Sequence, residues 1–363
     1  MKVLHVLGDR GFGGAERMFA ETVGALAARG KATNIAFIVN GRRLSRDGRI
    51  DAIPEDDCIW AKMGILQKAG RIFDAPLAIF GTVLSERPDV IYAYDPPLDV
   101  LICAAAGKLL GSRVAVRCSS RPGSLPRTSR LIMRAAFALC DYAVALSSES
   151  RSELERMGVP RIALIPNGKP IPESGSREAA RKALSIGDDE LAVGVVARLA
   201  PNKRQELAVS ALSGAPGTRL FLFGHEESPG YAKRLRRIAD ARGLGERVVF
   251  AGFRRDMAAI LPGLDALLHT SASEGCPGAV IEGMASGLPV VAVSEPAVRE
   301  VLGDAGIIVD ASPESIAGAL NMLKDRPLAA MLGKGARLRA KKFGMDAMAD
   351  AYEELFSALA GRK

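Results

Sequence analysis

Cysteine, histidine and aromatic side chains are all scarce in this chain. Its 363 residues hold five cysteines, three histidines and one tryptophan, and Phe, Trp and Tyr together make up 5%. Cys58, Cys103, Cys118, Cys140 and Cys276 are odd in number and scattered, with no C-x-x-C. That argues against a disulfide framework and a structural zinc site, and it favours a reducing compartment. No apolar run reaches the roughly 18 residues that a membrane-spanning helix requires. The opening MKVLHVLGDRG meets charge within a few residues and reads as a first strand rather than a signal peptide. The expected location is the cytoplasm. Low-complexity tracts and short-period repeats are missing, and no aromatics are interleaved with the arginines, so no nucleic-acid-binding module is expected.

The length suits two domains of about 150 to 200 residues each. Net charge is +8, unevenly placed. Residues 1–169 carry 24 Lys and Arg against 17 Asp and Glu, whereas the remainder carries 25 against 24. Much of the excess lies in Arg113, Arg117, Arg121, Arg127, Arg130 and Arg134, a window without an acid. Such a stretch suits an anionic membrane surface or a phosphorylated substrate, or else a solvated helix face and loop. Short β-rich runs alternate with helix-length segments: KVLHVL, ATNIAFIV, DVIYAY, RVAVRC, YAVALS and RIALIP, then LAVGVVAR, RLFLFG, RVVFAG, ALLHT, PVVAV and GIIVD. Nearly wholly apolar strands separated in this way predict parallel sheets covered on both faces. The break at IPNGKPIP sets a seam near residues 168–188. The expected fold class is α/β, with two Rossmann-like doubly wound domains facing an interdomain cleft. Residues 1–170 would form the first domain and 188–340 the second, with a final helix over 341–363.

Chemistry concentrates in SEGCPGAVIEGMASGLPVV, residues 273–291. ALLHT reads as a strand, SASEGCPG as its exit loop and AVIEGMAS as the next helix. Gly275 and Gly278 admit a ligand to the main chain, and Pro277 suits a helix approach. The first amides, of Gly278, Ala279 and Val280, are then expected to favour phosphate through their donors and the helix dipole. Glu274 and Glu282 flank this start, and carboxylates suit sugar hydroxyls because they accept hydrogen bonds. In VVARLAPNKR, Arg198 follows a strand and Lys203 stands five positions on, two cations able to neutralise a diphosphate. GDRGFGGAERM supplies Gly11, Gly13 and Gly14 before a helix. It is a poor dinucleotide fingerprint with no acid after the second strand, which argues against a nicotinamide dehydrogenase. No D-x-D occurs, and cationic charge is available without a metal.

Taken together, GGAERM, SSES, IPNG, VVARLAPNKR, FAGFRRDM and SEGCPGAVIEGMASGLPVV resemble a family 4 glycosyltransferase of the GT-B fold, over nearly the whole chain. The last segment is similar to the family's E-x7-E element. The resemblance implies a retaining, metal-independent hexosyltransferase-like enzyme. It implies no cofactor, a nucleotide-sugar donor (a UDP-sugar by the family's habit) held mainly by the second domain, and an acceptor on the first. Arg198 and Lys203 would bind the diphosphate, Glu282 the ribose and Glu274 the donor sugar. The amides of Ala279 and Val280 would add to the phosphate cradle, with Gly13 and Gly14 approaching from the first domain. The final helix would pack back on the first domain. Relatives often carry histidines after the strands corresponding to DVIYAY and RVAVRC. Here Tyr92, Tyr94, Ser119, Ser120 and Arg121 stand there, and the histidines are His5, His225 and His269. The Gly-Gly that often follows PVVAV is also absent, although Glu300 remains. A polysaccharide or lipid-linked acceptor is expected, together with peripheral contact to anionic membrane through Arg113–Arg134. A nucleotide-sugar epimerase or hydrolase on the same fold is the alternative reaction, and a non-catalytic nucleotide-sugar-binding subunit the alternative class. Cys276 reads as an apolar filler, His269 as a packed residue and Asp95 as a turn former or acceptor contact.

Overall fold

The computed structural model describes residues 1–8, 14–39, 58–60, 71–94, 97–118, 123, 125–171 and 175–361. Gly11, Gly13, Asp95, Ser119, Ser120 and Arg121 lie outside the described residues. The chain divides into two compact units, Met1–Gly168 with Met345–Lys363, and Lys169–Gly344. Each is a Rossmann-like parallel sheet with helices on its faces.

In the first unit the strands are β1 (Lys2–Gly8), β2 (Thr33–Val39), β3 (Cys58–Trp60), β4 (Val90–Ala93), β5 (Arg113–Arg117), β6 (Tyr142–Ala145) and β7 (Ile162–Leu164). They order as β3-β2-β1-β4-β5-β6-β7, with β4 central and β1 parallel to both its neighbours. The three-residue β3 escapes a sequence pattern, because CIW is too short to show any period. Every other strand falls on a run read from the sequence. Alternation along each strand sorts side chains onto two cores. Leu4, Val6, Ile91, Ala93, Val114 and Val116 enter one, with Val100 and Met133 from helices Pro97–Leu110 and Arg127–Leu139. Val3, Leu7, Val90, Tyr92 and Ala115 enter the other, where Phe19 of helix Gly14–Ala28 and Tyr352 and Phe356 of helix Met345–Ala360 cover them. The last helix is therefore part of the first unit's core.

The second unit holds β8 (Leu191–Val196), β9 (Thr218–Phe223), β10 (Val248–Gly252), β11 (Ala266–His269), β12 (Val290–Val293) and β13 (Ile307–Val309), ordered β10-β9-β8-β11-β12-β13. All its strand pairs are parallel. The order reverses at β8 and β11, the switch point where loops leaving the strand ends diverge and a doubly wound sheet receives its ligand. The segment before β8 is not a bare connection. Helix Arg177–Ala183 packs within this unit, and Arg181 pairs with Asp265 at 3.2 Å. Asp265 in turn accepts the β8 amide of Ala192 at 2.7 Å.

Candidate active site

The loops leaving β8 and β11 bring together residues far apart in the chain. After β8, Pro201–Lys203 makes a single 3-10 turn, and Arg204 takes a left-handed φ of 50° before helix Gln205–Ala211 begins. That kink turns the Arg204 guanidinium toward the β11 exit, where it donates to the carbonyls of Thr270 (3.0 Å) and Ser271 (2.9 Å). Thr270 returns a hydrogen bond to the Lys203 carbonyl at 2.7 Å, and Ala272 N donates to the Asn202 carbonyl at 2.9 Å. The two loops are thus stitched by side-chain and main-chain hydrogen bonds to backbone carbonyls, and Lys203 is placed as a consequence. Arg204 was not singled out from the sequence, since one more arginine beside a helix start carries no signal.

Lys203 Nζ lies 2.7 Å from Glu274 Oε1, with both side chains mostly buried. His269, the last residue of β11, places Nε2 at 3.4 Å from the same oxygen. Burial alone would raise the Glu274 carboxyl. The neighbouring His269 imidazole and Lys203 ammonium outweigh it and hold the group down at about 2. Glu274 is therefore an anion throughout the neutral range. Glu295, 3% exposed, accepts the Glu274 amide at 3.4 Å with one carboxylate oxygen. Its other oxygen caps helix Pro296–Leu302 through Val298 N at 3.1 Å. Sequence reading missed Glu295, although an acid just before Pro at a helix start is a legible capping signal.

Helix Gly278–Ala285 starts after Pro277 with no side-chain cap. Its first amides have no preceding turn to donate into. Val280 departs from expectation: its amide donates to the Pro277 carbonyl at 3.0 Å, because the first turn is wound tightly. The amides of this helix start that are candidates for an anion are accordingly those of Gly278 and Ala279, and Val280, whose side chain is fully buried, contributes packing. Glu282, one turn on, pairs with Lys169 Nζ at 3.2 Å. Lys169, directly after IPNG, is 5% exposed, and its stem runs so close to the helix start that a Cβ on Gly278 would lie 3.2 Å from Lys169 Cε. It too was missed, because its partner is 113 positions away.

Arg198 stands at the end of β8, as expected, but its guanidinium pairs with Glu227 in the loop after β9, not with the Lys203–Glu274 pair. Nearby, Gly224 at φ 150° brings its main chain against Ala197, where a Cβ would meet the carbonyl oxygen at 2.0 Å. The structure therefore brings together Lys203, Glu274, His269 and Glu295, and beside the same helix start Lys169, Glu282 and Gly278. Gly14 opens its helix in the first unit, and Gly13 is outside the described residues. Among the described residues no three His, Cys, Asp or Glu side chains gather as metal ligands.

Comparison with known sequences decides the family. The sequence model of "Glycosyl transferases group 1" matches residues 176–339, and that of "Glycosyl transferase 4-like domain" matches 13–168. The chain belongs to the group 1 glycosyltransferases. It is 27% identical over 99% of its length, and 99% of the relative's, to the lipopolysaccharide core biosynthesis glycosyltransferase LpsE of Rhizobium meliloti. It is 33% identical to the D-inositol 3-phosphate glycosyltransferase of Mycobacterium marinum, over 33% of this chain and 27% of that one. In fold it is similar to Anabaena Alr3699/HepE, solved in complex with UDP and glucose: TM-score 0.83, 22% identity, 99% of this chain and 100% of that one. The fold of this glycosyltransferase is thus GT-B. Nothing in these likenesses supports the epimerase or hydrolase reading.

Proposed function

We propose that this glycosyltransferase is a retaining, metal-independent enzyme of glycan synthesis. It moves a sugar from a nucleoside-diphosphate sugar, held by the second unit, to a hydroxyl of a polysaccharide or lipid-linked intermediate that meets the first. The observation that carries the donor assignment is the doubled lysine–glutamate pairing around the start of helix Gly278–Ala285: Lys203 with Glu274 and Lys169 with Glu282. The structural neighbour's UDP and glucose support a UDP-sugar.

In this reading the diphosphate lies over the Gly278 and Ala279 amides. Lys203, with Arg198 released from Glu227, offsets its charge. Glu274 accepts from hydroxyls of the donor sugar and Glu282 from the ribose. The acceptor oxygen attacks the anomeric carbon from the face the diphosphate leaves. The anomeric C–O bond breaks with its electron pair going to the phosphate oxygen, and that oxygen takes the acceptor's proton. Stabilising a developing anion with fixed donors is electrostatic catalysis. A thermal-shift screen of nucleotide sugars tests the site, because a ligand that binds the folded state raises its stability. Lys203→Ala and Glu282→Ala should abolish the shift, and an unchanged response in both would move the site elsewhere.

The acceptor side rests on arginines that the structure sorts. Arg117 is 2% exposed, and Arg113 pairs with Asp141 at 3.0 Å, so neither forms part of a basic surface patch. Arg127, Arg130 and Arg134 instead line a concavity of about 430 Å³ with Arg156, Glu153 and the exposed Leu131. Cations around an exposed leucine suit an anionic membrane surface and a lipid-linked acceptor. No helix among the described residues is long and apolar enough to cross a membrane, so such contact would be peripheral at the inner face. Binding to anionic vesicles should weaken with salt and with Arg130→Glu/Arg134→Glu. Salt-insensitive binding, or none, would remove the membrane part and leave a soluble acceptor.

A further inference from the structure

We infer that Lys169 is a positioning residue for nucleotide recognition: its buried ammonium fixes the Glu282 carboxylate for the ribose. This rests on the donor site proposed above. A lysine is costly to bury unless paired, and one at a helix N-terminus is opposed by the helix dipole as well. Lys169, at 5% exposure beside the start of helix Gly278–Ala285, meets the second penalty and is spared the first only by its pairing with Glu282. Packing alone gives no reason for an ammonium there, since an apolar side chain would fill the space without either cost.

The main chain sets the residue rigidly. Lys169 N donates to the Phe343 carbonyl at 2.8 Å, and Lys169 bridges to Gly344. From that anchor the stem passes Gly278 at near contact, which gives this glycine a second reason to lack a Cβ. The ammonium reaches Glu282 Oε1 at 3.2 Å, with the two side chains 6% and 14% exposed. A carboxylate accepts about four hydrogen bonds, so one held by a lysine still accepts from a sugar hydroxyl. The ammonium limits its rotation. The pair repeats what Lys203 does to Glu274 at 2.7 Å. Each carboxylate assigned to an alcohol thus has its own lysine.

The test compares nucleotides that differ by one hydroxyl. UDP, ADP and GDP are titrated calorimetrically to find the one that binds, and then its 2′-deoxy and 3′-deoxy forms. The wild type should prefer the full ribose at least at one position. Lys169→Met should weaken the ribonucleotide about tenfold or more and erase that preference, while the monophosphate and diphosphate lose affinity by the same factor. The Lys169→Met/Glu282→Gln double variant should bind no worse than Glu282→Gln alone, because one residue acts through the other. A preference kept in Lys169→Met, or a loss confined to the diphosphate, overturns the inference. Failure of the site itself looks different: Lys203→Ala and Glu282→Gln would then also bind as the wild type does. Lys169→Arg restores the preference if charge and reach suffice, and Lys169→Met is compared at equal folded fraction by circular dichroism.

Discussion

The two units share a strand order yet treat their strand ends in opposite ways. In the second, mostly buried charges meet in pairs, Lys203 with Glu274 and Lys169 with Glu282, around a glycine-bearing helix start. In the first, the ends of β4 and β5 are sealed by aromatic rings. Tyr92 donates to the Tyr352 hydroxyl at 2.6 Å, Arg117 donates to that hydroxyl at 3.1 Å, and the guanidinium lies 5.4 Å from the Tyr94 ring. Arg117 also holds Asn167. A fold that repeats therefore does not repeat its chemistry. One end holds mostly buried charges in pairs. The other uses an arginine to tie the final helix to the sheet.

The largest expected effect would break this contrast most directly. Lys203→Ala should lower kcat/KM by about 100- to 1000-fold, the usual cost of losing one well-aimed donor to a developing anion. Steady-state release of nucleoside diphosphate in the presence of acceptor measures it. If only the melting temperature fell, the second unit's pairs would be structural like the first unit's cluster. Next, Tyr352→Phe removes the hydroxyl shared by Tyr92 and Arg117. It should cost about 1–3 kcal/mol in denaturant unfolding, the range for a buried polar group left without its partner, with donor affinity unchanged.

Acid separates the units by pH. Burial lowers the His5 imidazole of β1 to about 4, against the partial support of its bond to Asn34. A group with a depressed folded value contributes stability above its unfolded value and loses it as pH falls through the folded one. Stability tied to His5 should therefore decline from about pH 6.5 to 4, and that tied to Glu274 from about 4.5 to 2. Melting temperatures over pH 2–7 should show His5→Gln flattening the upper window and Glu274→Gln the lower. Identical profiles in both variants would remove the assignment. The smallest effect belongs to Arg113→Gln, at the partly exposed pair with Asp141. It should cost no more than about 1 kcal/mol and leave vesicle binding as it was.

Most of the fold was legible because parallel strands are buried on both faces and write themselves as apolar runs. β3 was not, since three residues carry no period. Within the site, Glu274, Lys203 and Glu282 were legible from loop position and spacing, and the family resemblance attached roles to them. Lys169 and Glu295 were not, since neither belongs to a spacing and each acquires meaning from a partner. The arginine window shows the converse. Six like residues read as one surface, but β5 carries Arg117 into the core at 2% exposure and leaves Arg113 to Asp141.

Sequence alone determined the two doubly wound sheets, the bare helix start after β11 and the family, because these depend on local pattern and short-range spacing. Only the tertiary structure decided which charges meet: Lys169 with Glu282, Lys203 and His269 with Glu274, and Arg198 with Glu227 instead of that group. The reason is physical. Ion pairing depends on distance and desolvation in space, and neither is written in the order of residues along a chain.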